Sequence, residues 1–262
     1  MRKFSIVIPA YNEEKRLEKT LFFIDKYLRT KNLKSEIIVI SDGSKDGTIM
    51  ILNEMKAKIP QLVIIEKTAN EGKGSAVRDG MLRATGDYIL FTDADLSAPI
   101  EELDKLLKAI EDGFDVAIGS RRMRESKINI SQPWYRKIMG FIFQKLIRFF
   151  VIKGFRDTQC GFKLFTRQAC KHIFSQQLLN GFAFDIEVLY LAIRLGYSVA
   201  EVPVEWNDTV GSKVVPLHST VTMLKELAYI RLYYALYYPK VYERFLQQKV
   251  LIGGEEHAEK AG

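Results

Sequence analysis

Apolar positions in this chain follow two alternating rhythms. Short, mostly unbroken runs at Phe4 to Pro9, Glu36 to Ile40, Leu62 to Ile65, Tyr88 to Thr92 and Asp115 to Gly119 read as strands buried on both faces. Between them lie amphipathic stretches. Leu17, Leu21, Ile24 and Leu28 recur at helical spacing, further helices are expected near 46–58 and 74–85, and another follows Pro99. Strand and helix in alternation predict an α/β fold with a mostly parallel sheet and right-handed crossovers. Ligands of such sheets lie beyond the carboxyl ends of the strands. That edge collects Ala10-Tyr11-Asn12-Glu13, Asp42-Gly43-Ser44, Asn70 to Gly74, Asp93-Ala94-Asp95 and Ser120-Arg121-Arg122.

After residue 120 the pattern changes. Two longer amphipathic helices are expected near 133–152 and 219–246, and the second holds six of the 12 tyrosines beside Lys225, Arg231, Lys240 and Arg244. Basic flanks and clustered tyrosines suit a membrane interface, where a ring sits half buried and half wet. The same stripe also suits a helical layer packed on the sheet. No run reaches the ~18 uninterrupted apolar residues of a spanning helix. The opening MRKFSIVIP reads as a strand and not as a signal peptide. Residues 253–262 carry too little apolar surface to order themselves, and 248–262 are expected to be a flexible tail.

Composition sharpens this reading at three points. A chain of 262 residues with 47% hydrophobic and 27% charged content is expected to fold. The excess of 39 Lys+Arg over 32 Asp+Glu favours anionic partners, but the basic residues interleave with aliphatic and aromatic helices, which argues against nucleic acid. Cys160 and Cys170 lack the spacing of a disulfide framework or zinc site, so they are expected to pack as thiols in a reducing, cytosolic compartment.

Chemistry concentrates at Asp93 and Asp95. Two carboxylates one residue apart at a strand tip repel each other unless a cation lies between them, and Mg²⁺ or Mn²⁺ accepts few carboxylates and completes its shell with phosphates. The competing reading is that Asp95 or Ser97 caps the helix after Pro99.

Taken in order, SIVIPAYNEE, IIVISDGSKDGT, NEGKGSAVRDG, TDADLS and GSRR resemble the nucleotide-sugar-binding half of family 2 glycosyltransferases, which have the GT-A fold. Downstream, RDTQCGFKLF, FAFDIE and EVPVEW are similar to the dolichyl-phosphate β-glucosyltransferase branch, with the dolichyl-phosphate mannose synthases as near relatives. The resemblance covers roughly residues 4–245. It implies one catalytic domain in which residues 1–120 bind the nucleotide sugar, and residues 121–247 bind the acceptor and meet the membrane.

The resemblance also assigns roles. Pro9, Tyr11, Glu13, Asp42, Lys73 and Ala94 would hold the nucleotide sugar together with Asp93 and Asp95, the latter pair through Mg²⁺ or Mn²⁺. Asp42 follows Ser41 where many relatives carry a second aspartate, which bears on base or ribose recognition. Arg121, Arg136 and Lys213 would hold phosphates of nucleotide or acceptor; Asp95, Asp157 and Gln159 would be catalytic; Asp185 and Glu187 would bind sugar hydroxyls. The reaction implied is transfer of glucose from UDP-glucose to dolichyl or polyprenyl phosphate with inversion, by a peripheral enzyme on the cytoplasmic face of a membrane. It would act as a homo-oligomer or with a membrane partner subunit. Mannosyl transfer from GDP-mannose is the nearest alternative, and a non-catalytic basic membrane adaptor is the alternative of another class.

Overall fold

The computed structural model describes residues 2–130, 145, 147–148, 151–207 and 216–237. Its centre is a seven-stranded sheet built from β1 (Lys3–Ala10), β2 (Lys34–Asp42), β3 (Leu62–Lys67), β4 (Tyr88–Thr92), β5 (Val116–Ser120), β7 (Phe162–Thr166) and β8 (Val199–Pro203). The spatial order is β3-β2-β1-β4-β7-β5-β8. A small parallel pair, β6 (Lys127–Ile130) with β9 (Glu205–Asn207), lies apart from it.

Side chains alternate across each strand, so neighbouring residues enter different layers. Val7, Ile38 and Ile40 join one core with α3 (Lys73–Arg83), α5 (Arg167–Phe174), α6 (Phe184–Arg194) and α7 (Pro216–Tyr237). Ile6, Ile8, Ile37 and Val39 join the other, with α1 (Leu17–Thr30), α2 (Thr48–Lys58) and α4 (Leu103–Glu111). Both faces are therefore covered. This explains the continuous apolar strands, and the five expected strands and the helices between them all form.

Two central strands escape the apolar pattern. β7 runs antiparallel to both neighbours, with Thr92 opposite Phe162 and Ile118 opposite Lys163, and β8 pairs with β5 in parallel. Each carries a buried charge in mid-strand, Lys163 in Phe-Lys-Leu-Phe-Thr and Glu201 in Val-Ala-Glu-Val-Pro, and that charge interrupts the hydrophobic run. Because β7 is reversed, its first residues arrive at the edge where β4 and β5 end.

Helix α7 has two faces. Leu227, Ile230 and Tyr234 are buried in the core, while Lys225, Ala228, Tyr229, Leu232 and Leu236 are exposed. Among the described tyrosines of the stripe, Tyr234 is packed and Tyr229 is open to the surface. None of the described helices is long and apolar enough to cross a membrane. Most of the expected helix near 133–152, the end of the one near 219–246, and the tail lie outside the described residues.

Candidate functional site at the carboxyl edge of the sheet

The first three loops are stitched to one another. Asn12, in the left-handed region at φ 55°, donates its N–H to Ser44 Oγ (3.1 Å), and its Oδ1 accepts from Lys45 N (2.7 Å). Glu13 N donates to Thr48 Oγ1 (2.8 Å), and Glu14 Oε2 accepts from Gly47 N (2.8 Å). Tyr11 is left 38% exposed at this rim, beside Pro9, while Glu13 forms an ion pair with Arg16. Asp42 is buried and accepts from the N–H groups of Glu71 (3.0 Å) and Gly72 (2.9 Å). Both of its oxygens hold the third loop in the described structure. Gly72 is required there: at φ 107°, a side chain would meet Asn180 O at 2.4 Å.

That loop leads into α3, whose first residue, Lys73, reaches the fourth strand tip. Lys73 Nζ lies 2.7 Å from Asp93 Oδ1 and over the rings of Phe91 (5.4 Å) and Phe184 (5.9 Å). Burial pushes the Asp93 carboxyl up, Lys73 opposes this, and the fields of Asp95 and Asp185 raise it further. Asp95 Oδ1 accepts from Ser97 N (3.0 Å), and its Oδ2 lies 3.9 Å from Arg16 Nη1. The helical turn after Pro99 has Pro99 itself at its N-cap with no side-chain hydrogen bond, so neither Asp95 nor Ser97 caps it. Ala94 between the carboxylates is buried, and its carbonyl accepts from Thr20.

Gly161 closes this corner from the reversed strand. Its carbonyl accepts from Asp93 N (3.2 Å), and a Cβ at this position would lie 2.0 Å from Asp93 Oδ2. Next to it, the buried Lys163 ammonium donates to Cys160 O (2.7 Å) and to Asp185, and lies 5.8 Å from the Phe91 ring on which Lys73 also rests. The resemblance missed Lys163. A lysine in the middle of an apolar strand was the available signal, since a buried ammonium demands a partner. Asp185 is that partner, so one of its oxygens is committed to Lys163 and not to a sugar.

Glu187 differs from its expected role more strongly. It is fully buried, with Oε1 accepting from Leu178 N (2.9 Å) and Tyr234 OH (2.7 Å) and Oε2 from Leu179 N (2.9 Å). With no exposed surface and both oxygens engaged, it anchors the 176–183 loop and α7, and contacts no sugar. The same loop supports α3, because Asn180 O accepts from Gly74 N (2.7 Å).

Two strands beyond β4, Arg121 follows the end of β5. Asp157 grips it with three bonds: Arg121 Nε (2.6 Å) and N (3.1 Å) donate to Oδ2, and Nη2 (2.9 Å) to Oδ1. Asp157 is buried, and the guanidinium holds its carboxyl down at about 2 against the opposing effect of burial. A carboxylate that acidic is a poor general base at neutral pH, and both of its oxygens are engaged by Arg121, so its part at this edge is to hold that cation. Gln159 is half-buried, with its backbone N–H on Asp157 Oδ1 (3.3 Å). Arg136 and Lys213 lie outside the described residues. Cys160 and Cys170 are buried free thiols, pushed up to about 12 by burial, consistent with packing roles.

The donor set limits the metal this edge can take. Among the described residues no group of three His, Cys, Asp or Glu side chains could hold a metal ion alone. Asp93 and Asp95, each about a quarter exposed, fit a hard divalent cation that accepts one or two carboxylates and finds its other oxygens on a diphosphate.

Residues 5–174 match the model of Glycosyl transferase family 2. The chain belongs to glycosyltransferase family 2. The human dolichyl-phosphate β-glucosyltransferase is 37% identical to this glycosyltransferase over 246 residues, covering 89% of this chain and 76% of the relative. That of Saccharomyces cerevisiae is 36% identical over 250 residues, covering 88% and 75%. Among solved structures, glucosyl-3-phosphoglycerate synthase from Mycobacterium tuberculosis in complex with UDP superposes with a TM-score of 0.64 at 19% identity, covering 88% of this chain and 79% of that one. Its complex with Mn²⁺, UDP-glucose and phosphoglyceric acid gives 0.62 at 18%. The sheet order and flanking helices of this glycosyltransferase are the GT-A-like arrangement expected from the resemblance.

Proposed function

We propose that this glycosyltransferase transfers glucose from UDP-glucose to dolichyl or polyprenyl phosphate, with inversion at the anomeric carbon. The observation that carries this reading is the division of charge along the sheet edge. Carboxylates stand at the tip of β4, and a fixed cation, Arg121, follows β5, two strands or about 10 Å away. Asp42, Tyr11 and Lys73 lie on the other side of the carboxylates, toward β1, β2 and α3. A nucleotide fits the β1–β3 side, its diphosphate the Asp93/Asp95 corner, and an acceptor phosphate the Arg121 side. The names of the relatives support glucose and dolichyl phosphate as the pair exchanged.

The chemistry asks little of a general base. A phosphate monoester has a second pKa near ~6, so it is largely dianionic at neutral pH and attacks without surrendering a proton to the protein. Asp157, held at about 2, fits that economy. The protein's tasks are to align two anionic reactants and balance the departing diphosphate. Lys73 would bind a diphosphate oxygen, Arg121 the acceptor phosphate, and Asp93 with Asp95 would hold Mg²⁺ or Mn²⁺. That ion, when bound, supplies charge to the leaving diphosphate. Arg136 and Lys213 are proposed as further phosphate contacts, and the exposed Tyr229, Leu232 and Leu236 of α7 as membrane contacts at a cytoplasmic face.

A donor panel with purified protein and a short-chain isoprenyl phosphate tests the reading. Turnover of UDP-glucose in the presence of Mg²⁺ or Mn²⁺ is expected; turnover of GDP-mannose alone would overturn the assignment. Sedimentation with anionic liposomes tests the membrane assignment separately, and a protein left wholly in the supernatant would refute it.

A further inference from the structure

Arg121 is held on three sides. Asp157 takes Nε and Nη2 as a fork, and the guanidinium carbon lies 4.8 Å from the centre of the Trp206 ring, so the indole face backs the cation. No hydrogen bond to Nη1 occurs among the described residues, and the side chain keeps 23% of its surface while that of Asp157 keeps 1%. The cation therefore offers one edge.

The fork is itself braced from beneath. Glu201, fully buried in mid-β8, accepts from Asp157 N (2.8 Å) and from Arg156 N (3.1 Å to Oε1 and 2.9 Å to Oε2). The Ser120 hydroxyl donates to the same carboxylate. Glu201 thus ties the end of β5, immediately before Arg121, to the loop that carries Asp157. Trp206 is fixed independently: β9 follows β8, Ile128 lies opposite it, and Asn207 N donates to Ser97 O (2.7 Å) beside Asp95. The Trp206 indole N–H is buried and makes no hydrogen bond among the described residues, so the contribution of this side chain is its face and not its donor.

We infer that Glu201 and Trp206 are positioning residues that present the free edge of Arg121 to the phosphate of the acceptor. This rests on the reading of Arg121 as the acceptor-phosphate contact. Neither residue touches substrate; Glu201 acts through Asp157, and Trp206 acts on the guanidinium plane. A carboxylate bonded to backbone and a hydroxyl also serves folding, and binding measurements separate that from the alignment of Arg121.

Titration calorimetry with two probes, a water-soluble short-chain isoprenyl phosphate and UDP with Mn²⁺, does so without needing turnover. Glu201→Gln and Trp206→Leu are expected to weaken the isoprenyl phosphate about 10-fold and leave UDP within about twofold, while Trp206→Phe, which keeps an aromatic face, stays within about threefold for both. Equal weakening of the two probes would reduce both residues to scaffolding and overturn the proposal. Wild-type affinity for isoprenyl phosphate in Glu201→Gln and Trp206→Leu, with Arg121→Ala defective, would overturn it while sparing the acceptor assignment. Wild-type affinity in Arg121→Ala would remove the acceptor assignment, and the proposal with it.

Discussion

Lys73 Nζ sits 2.7 Å from Asp93 Oδ1, with the faces of Phe91 and Phe184 beneath the ammonium. The pair links the start of α3 to the tip of β4, and neither charge is fully wet. Removing one partner leaves the other poorly solvated, which costs more than removing both. Lys73→Met is therefore expected to lower turnover about 100-fold and to destabilise the fold. The double variant Lys73→Met/Asp93→Asn is expected to recover stability without activity. Urea midpoints and initial rates of all four proteins check this.

Gly161→Ala is expected to disable the carboxylate corner while the sheet survives. The added methyl carbon would stand 2.0 Å from Asp93 Oδ2, and the neighbouring backbone is tied to Asp93 N, so the carboxylate must rotate away. Metal-dependent UDP binding should weaken about 100-fold by calorimetry. Far-ultraviolet circular dichroism should be unchanged.

Asp157→Asn bears on stability and its pH dependence. The folded carboxyl sits at about 2 against an ordinary 3.8, so the clamp stabilises the folded state by about 2 kcal/mol above pH ~4. The sign follows from a depressed folded value: this contribution is intact above 3.8 and is lost as pH falls toward 2. Chemical denaturation should show the variant about 2 kcal/mol weaker at pH 7. The gap to wild type should narrow below pH ~3.8.

Tyr234→Phe removes the hydroxyl that bonds Glu187 Oε1 (2.7 Å) and Gln176 O (3.2 Å). A loss of about 1–2 kcal/mol is expected for deleting such a buried donor. Burial already raises the Glu187 carboxyl above its usual range, and losing the tyrosine donor raises it further. A raised folded value means stability present at low pH and lost as pH rises through it, so the variant should be weaker relative to wild type at pH 8 than at pH 5. Denaturant midpoints at the two values decide the matter.

How much of this was legible in the chain depended on where charges were buried. Strands such as β1 and β4 announce themselves because apolar residues fill both faces, broken in β1 only by Ser5 after the polar Lys3 at its start, and their polar tips mark the ligand edge. β7 and β8 stayed hidden because Lys163 and Glu201 interrupt them, although those two residues are what bind the reversed strand to Asp185 and the Asp157 loop to β5. That Asp93, Asp95 and Arg121 stand at the carboxyl edge followed from strand ends in the chain. The contacts of Asp157 and Glu187 did not follow, since spacing places a carboxylate but cannot reveal that Arg121 or Tyr234 and two backbone N–H groups will occupy it.

The reversal of β7 limits how this enzyme can be divided. Its strand comes from after residue 160 but fills the gap between β4 and β5, both of which end by residue 120. A fragment ending near residue 120 would keep the loops after β1 to β4 and still lack the strand that joins its last two. It would open one edge of β4, leave β5 without a partner on either side, and lose Gly161 from beside Asp93. The two parts of related chains therefore cannot be exchanged by splicing near residue 120; a chimaera needs its β7 matched to the β4 and β5 it must lie between.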